Sequence, residues 1–458
     1  MPREQTVRLT IYEDLNEARR TVLRRRGMLR SEHTLEPVRA GIRRVFGEDL
    51  SPEEAVKRIV EDVREQGDAA LRGWSDRLDS RAGCRSAQDG FEVPAAAWQS
   101  AYAALPADLS GALNLAAGRI QAFHTRQSLP SWETHEMGGK LGQRTTPLRR
   151  VGIYVPGGTA PLPSSLLMSA IPARVAGVDE VIVCTPPNRN TGRVPDVTLA
   201  AAHLAGVDRL FRLGGAQAVA ALAFGTESVP RVDKIVGAGG LFTTLAKRQV
   251  YGLVGLDGLF GPTEAVVVAD DSANPVWVAA DLLAQAEHDV LATAILLTPS
   301  RQLAEAVQTA VARQAAKLTR RDVITASLAG QGGIVLTPDL ETAVRLADEF
   351  APEHLCLSVR EPVVWAERIR NAGGLFLGEH SCEVLGDYVA GPSHVMPTGG
   401  SARFSSPLSV FDFVKITSII ELDAETAGSL STEGATMARA ESLTAHAAAA
   451  LARRMRTS

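Results

Sequence analysis

The stretch Val151-Gly152-Ile153-Tyr154-Val155-Pro156-Gly157-Gly158-Thr159-Ala160 decides the fold class. It reads as a short β-rich run closed by a proline–glycine turn, and a segment of helical texture follows over Leu166–Ala176. The same grammar recurs downstream. β-rich runs at Val181–Cys184, Leu210–Leu213, Ile235–Val236, Ala265–Ala269, Ala292–Leu297, Gly333–Leu336, Cys356–Val359 and Leu375–Leu377 are separated by segments such as Ala216–Ala223. Alternation of this kind predicts an α/β fold, with parallel sheets and helices on both faces. There are enough strands for two such sheets. Ligands in these folds bind at the carboxyl ends of strands, where the loops gather.

Upstream of this region the texture differs. Residues 1–47 are polar and carry Arg19, Arg20, Arg24, Arg25, Arg26 and Arg30 close together, with Glu13, Asp14, Glu17, Glu32 and Glu36 interleaved. Mixed charge of this kind predicts a solvated or subunit-facing helical arm rather than a nucleic-acid patch. Ser51-Pro52-Glu53-Glu54 is a helix start, with Ser at the N-cap, Pro at the first position and Glu at the third. Val56, Ile59, Val60 and Val63 continue at helical spacing towards Gly67. Residues 107–128 are expected to be helical, and 131–150 to be a connection with short strands. At the other end, from about Pro407, a short apolar run Ser418-Ile419-Ile420 precedes an Ala- and Arg-rich helix ending in Ala447–Arg456, which reads as a small appendage.

Composition bounds the function. A chain of 458 residues is too long for one ordinary core, and 45% apolar with 22% charged residues is a soluble globular balance. The net charge of −4 argues against general affinity for nucleic acid or anionic membranes. Cys84, Cys184, Cys356 and Cys382 are far apart and form no CxxC pair, so free thiols in a reducing compartment are expected. With no apolar leader at Met1-Pro2-Arg3-Glu4-Gln5 and no spanning run, the expected location is the cytoplasm.

Three glycine turns each follow an expected strand: Pro156-Gly157-Gly158, Gly214-Gly215 and Gly237-Ala238-Gly239-Gly240. Backbone amides in such turns approach phosphates closely. None matches the GxGxxG fingerprint, but three in one region favour a nucleotide crevice. Tyr154 and Gln217 lie beside these turns and could grip a cofactor, pack, or cap a helix. Gly261-Pro262-Thr263-Glu264 leads into a strand and could close over a substrate or be a simple turn.

Proton-transfer and metal-type residues cluster later. Asp281-Leu282-Leu283-Ala284-Gln285-Ala286-Glu287-His288-Asp289 reads as a mostly buried helix with Gln285 and His288 on one face. A buried amide and imidazole need partners, and a metal ion is one such partner. Ala351-Pro352-Glu353-His354-Leu355 places an acid beside an imidazole at an expected loop, suited to two proton-transfer steps. Gly386-Asp387-Tyr388 and Gly391-Pro392-Ser393-His394 put a carboxylate and an imidazole in a Gly/Pro-rich loop. His446 opens the last helix, with Glu441 five residues before it. Gln285, His288, Asp387 and His446 would suit zinc with a position left for substrate, though spacing alone does not assemble them.

Together with Ala402-Arg403-Phe404-Ser405-Ser406, these stretches resemble the histidinol dehydrogenase family, over about residues 50 to 450. The resemblance implies two Rossmann-like domains with parallel-rich sheets, plus small helical N- and C-terminal segments. The expected division is an arm over 1–47, a discontinuous first domain over 48–149 and 263–406, a nucleotide-binding domain over 150–262, and a dimerisation segment over 407–458. It implies zinc on Gln285, His288, Asp387 and His446, and proton transfer by Glu353 and His354. It implies substrate contacts from Thr263, His394, Glu441, His354 and the metal ligands. NAD contacts fall on Tyr154, Gln217 and the position of Gly240. It further implies a homodimer whose C-terminal segment reaches the partner's site, and oxidation of L-histidinol through the aldehyde to L-histidine. The chain departs from the family pattern at three places: Gly240 stands for Asn, Thr263 for Ser and Ser393 for Asn. A related branch oxidises sulfopropanediol, and a zinc-binding protein without redox activity is the reading from another class.

Overall fold

The computed structural model describes residues 7–25, 36–79, 90–157 and 161–454. In chain order the strands are β1 (Ile11–Tyr12), β2 (Trp132–Thr134), β3 (Lys140–Pro147), β4 (Arg150–Tyr154), β5 (Glu180–Thr185), β6 (Arg209–Arg212) and β7 (Lys234–Val236). They continue as β8 (Gly255–Leu256), β9 (Glu264–Ala269), β10 (Thr293–Thr298), β11 (Gly332–Leu336), β12 (His354–Ser358), β13 (Gly374–Leu377) and β14 (Val414–Glu421). The chain divides into two compact units. One holds Met1–Arg126 and Arg149–Phe413, the other Gln127–Leu148 and Val414–Ser458.

The first unit contains two sheets whose pairings are parallel throughout. Their orders are β6-β5-β4-β7-β8 and β1-β11-β10-β9-β12-β13. In each, three successive strands step outwards to one side and the next strand returns to the other. The direction of winding therefore reverses between β4 and β7, and again between β9 and β12. Such reversal points open crevices at strand ends. β9 and β10 are buried along their whole length, which is why they read as unbroken apolar runs rather than as alternation. The expected parallel α/β class is the one observed.

Helix signals behave as their chemistry dictates. Ser51 and Glu54 form a reciprocal capping box, Pro52 opens the helix Pro52–Gln66, and Val56, Ile59, Val60 and Val63 are buried. The helix Pro275–Ala286 is capped by Asn274 and packs Val278, Ala279, Leu282 and Leu283 against Val267 and Leu296 of the sheet. Each valine or leucine buried in this way stabilises by roughly 1.5–3 kcal/mol. This helix stops at Ala286, so the nine-residue stretch expected to be helical is interrupted. His288 stands in the turn beyond, its amide on Gln285 O at 3.3 Å, and is exposed rather than on a buried face.

The N-terminal arm has its helices, Leu15–Arg20 and Glu36–Phe46, and also a strand. β1 pairs Ile11 with Ile334 and Tyr12 with Val335 at the edge of the six-stranded sheet, and Val7 and Leu9 are buried. Its arginines are partly consumed internally: Arg19 pairs with Glu349 at 2.8 Å, and Arg25 with Glu264 at 2.6 Å. Arg26, Arg30 and Glu32 lie outside the described residues.

In the second unit β14, β3 and β2 form an antiparallel sheet, from Val414↔Pro147 to Glu421↔Lys140. The apolar run Ser418–Ile420 lies in the second half of β14. Asp423 caps the helix Ala424–Ala440 through Thr426 N and also accepts the Gly139 amide at 3.0 Å. The helix Thr444–Leu451 follows. Among the described residues, no helix is long and apolar enough to cross a membrane.

Candidate active site

Glu353 and His354 are buried, not exposed in a loop, because β12 begins at His354 and lies between β9 and β13. Both sit at the amino end of the sheet, opposite to the carboxyl ends where ligands were expected. A hydrogen-bonded chain fixes them. Thr263 Oγ1 donates to Glu353 Oε2 at 2.6 Å, and the Glu264 amide donates to the same oxygen at 3.0 Å. His354 places Nδ1 3.3 Å from Glu264 O and Nε2 3.1 Å from Asp387 Oδ1. Acceptors at both nitrogens favour the charged ring. Burial opposes that charge, but Glu383, Glu353 and Asp387 around the ring outweigh it and raise its pKa to about 10. Burial raises Glu353 to about 7, against the pull of His354 and the two donors.

Glu264 is itself anchored by the arm. Arg25 Nε and Nη2 take its two carboxylate oxygens at 2.6 and 3.0 Å, and Nη2 also reaches Ala351 O at 3.0 Å. The guanidinium lies 3.8 Å from the Phe350 ring centroid. Ala351 closes the helix Leu340–Phe350 in the left-handed region, at φ 52°, and turns the chain into Glu353–His354. Arg25 and Ala351 thus help to fix the Glu353–His354 pair.

Asp387 lies on a single π-helical turn, Gly386–Ala390, a distortion that recurs at functional sites. Gly386 must lack a side chain, since a Cβ there would run into the Phe376 ring. His394 is locked from two sides: Nδ1 donates to Asp387 O at 2.8 Å, leaving Nε2 to accept from Ser165 at 3.0 Å. Ser393 donates to Met168 O at 3.0 Å. Gln285 is fully buried, with Nε2 3.2 Å from Thr263 Oγ1. Thr263, Gln285, Glu353, His354, Asp387 and His394 are thus one connected network.

A metal-type donor set adjoins it. His288, Glu383 and Asp387 each offer a ligand atom, all within 4.8 Å of one another. Glu383 is fully buried and its Oε2 has no hydrogen-bond partner. An imidazole with carboxylates, one of them carrying a buried unsatisfied oxygen, fits a divalent cation. Sequence reading missed Glu383; the only signal was its position one helical turn before Asp387. His446 and Glu441 belong to the second unit, where both are exposed, His446 on the helix Thr444–Leu451 and Glu441 at the end of the preceding one.

The glycine turns stand at the carboxyl ends of β4, β6 and β7, and those of β4 and β7 flank the reversal point. Gly237, at φ 105°, packs where a Cβ would strike the Tyr154 carbonyl. Lys247 and Asp257 clamp it: Lys247 donates to Gly237 O at 2.9 Å, and Asp257 accepts the Gly237 amide at 2.6 Å. Tyr154 and Gln217 are packed inwards. The Tyr154 hydroxyl accepts the Gly215 amide at 3.1 Å, and Gln217 Nε2 donates to Asp79 at 3.1 Å. Gln217 Oε1 is buried without a partner, the kind of atom a bound polar group would satisfy. Gly240 heads the helix Leu241–Val250, with nothing within 4 Å of where its Cβ would stand. Gly158, Thr159 and Ala160 lie outside the described residues. Cys184 and Cys356 are buried free thiols, Cys382 is a half-buried one, and Cys84 lies outside the described residues.

Fold and site together define a parallel α/β enzyme with a buried acid–imidazole pair beside a metal-type donor set. The family model for histidinol dehydrogenase matches residues 44–454. A histidinol dehydrogenase of Thermus thermophilus is 51% identical over 419 residues, covering 91% of this chain and 98% of that protein. One of Deinococcus radiodurans is 50% identical over 416 residues, covering 90% and 93%. The crystal structure of histidinol dehydrogenase from Elizabethkingia anophelis superposes with a TM-score of 0.86 at 30% identity, covering 98% of each chain. The chain belongs to the histidinol dehydrogenase family, and so to the oxidoreductases of histidine biosynthesis.

Proposed function

We propose that this protein oxidises L-histidinol through L-histidinal to L-histidine, with two NAD and one zinc ion per subunit. The observation that carries the reading is the buried network Thr263–Glu353–His354–Asp387 next to the His288–Glu383–Asp387 donor set. Gln285, His288 and Asp387, with His446, would hold zinc. Bound zinc would act as a Lewis acid that orients the substrate's alcohol carbon, while NAD accepts the hydrides.

The chain's own residues would do the following. His354 takes the hydroxyl proton as hydride leaves the carbinol carbon, giving the aldehyde. Its Nε2 is now covered by Asp387, and a cation sharing that carboxylate would weaken the hold and free the nitrogen as a base. Glu353, raised towards neutrality by burial, then takes a proton from water as its oxygen adds to the aldehyde. Loss of a second hydride and a proton from that hydrate gives the acid. Thr263 and the Glu264 amide keep Glu353 in place, and His394 and Glu441 bind the substrate's polar groups. Tyr154 and Gln217 shape the NAD turns, and Gly240 leaves room at the crevice. The C-terminal unit, with His446 and Glu441, would complete the site of a partner subunit in a homodimer, working as a soluble cytoplasmic enzyme.

The test is histidinol-dependent reduction of NAD, followed by absorbance, with and without a chelator. Chelator-sensitive turnover of histidinol is expected. Turnover of sulfopropanediol in its place would move the assignment to that branch, and absence of NAD binding to zinc-loaded protein would favour a non-redox zinc protein. His354→Ala should keep zinc while losing ~10²–10⁴-fold in kcat. Full activity in that variant would displace His354 as the base.

A further inference from the structure

Glu383 occupies the turn Glu383–Leu385, immediately before the π-helical turn that carries Asp387. The four-residue offset brings both carboxylates to the same side of the chain. Glu383 is only 1% exposed, yet its Oε2 finds no donor. Around it lie His288, Asp387, His354 and Glu353. A buried carboxylate beside other carboxylates is tolerated when a cation stands between them. Donors on one tetrahedral zinc ion lie about 2.0–2.2 Å from it and so roughly 3.4 Å from one another. The His288, Glu383 and Asp387 ligand atoms, within 4.8 Å of one another, would draw together by roughly an ångström around such an ion.

We propose that Glu383 is a ligand of the metal centre, joining His288 and Asp387 and supplying a second negative charge to the ion. The inference rests on the zinc reading of the site. Glu383 then offers the ion a protein donor when substrate is absent, and it yields or shares that position when substrate binds.

The experiment measures zinc affinity by competition with a chromophoric chelator, and the visible spectrum of the cobalt(II)-substituted protein, for the full chain and for Glu383→Gln. The amide keeps the volume and removes the charge. A ~10-fold or greater loss of zinc affinity, with a changed cobalt spectrum, is expected. Unchanged affinity and spectrum would overturn the proposal and leave Glu383 as a packing residue. A wild-type chain that binds no zinc would instead overturn the zinc reading itself, and this proposal with it. Should Glu383→Gln not fold, Glu383→Asp carries the same two measurements: a weaker site with a shifted spectrum supports the assignment, and no change in either refutes it.

Discussion

At the scale of single residues, burial decides more than residue type. Asp79 ends the helix Asp68–Leu78 and accepts the Gly214 amide at 3.3 Å as well as Gln217 Nε2. Burial raises its pKa from 3.8 to about 6, against those two donors. Between these values the folded chain retains a proton that the unfolded chain has released. Stability therefore falls as pH climbs through this window, by about 3 kcal/mol in total. Asp79→Asn cannot ionise and can still accept through its amide oxygen. Urea unfolding without nucleotide should give equal stabilities near pH 4 and a variant more stable by up to ~3 kcal/mol near pH 8. Parallel pH profiles for the two proteins would show that Asp79 is not held protonated. The site's other acids were unequally legible in the sequence. Asp387 stands in a Gly/Pro-rich loop and Glu353 beside a histidine, whereas Asp79, Glu264 and Glu383 sit in ordinary surroundings and acquire meaning only when the fold buries them.

At the scale of elements, the sequence was most readable where one side-chain period persists. The apolar runs of β5, β9, β10 and β11 were located to within a residue or two at each end, since burial on both faces demands them. β1 and β8 escaped, because two residues such as Ile11–Tyr12 or Gly255–Leu256 establish no period. β12 began earlier than expected: Pro352 suggested a loop, yet pairing with Ala265 and Gly374 extends the strand back to His354 and buries its imidazole. The cap before it is testable. Ala351 holds φ 52° and ψ 64°, a region that costs a residue with a Cβ roughly 1–2 kcal/mol. Ala351→Gly removes that cost, partly offset by the freer unfolded chain. A net gain of about 0.5–1 kcal/mol in denaturant unfolding is expected, with kcat unchanged, because the Arg25 bond uses the carbonyl. A loss of stability would mean that the buried methyl packs more usefully than the turn is strained.

At the scale of the whole molecule, the proposed zinc ligands are distant along the chain and divided between the two compact units. His288 belongs to the first unit and His446 to the second. If the two meet only across a dimer, defects in them should complement. In a mixed dimer of one His288→Ala chain and one His446→Ala chain, one site collects both defects and the other collects neither. The mixed dimer, with one intact site of two, should then show about half of wild-type activity, although each variant alone is inactive. Co-expression with two different affinity tags, sequential capture of the mixed dimer and a histidinol assay would measure it. If instead each chain completed its own site, every site in the mixture would lack one ligand and the captured dimer would be as inactive as its parents. Activity in the mixed dimer therefore distinguishes a shared centre from a self-contained one, without reference to how tightly either variant holds zinc.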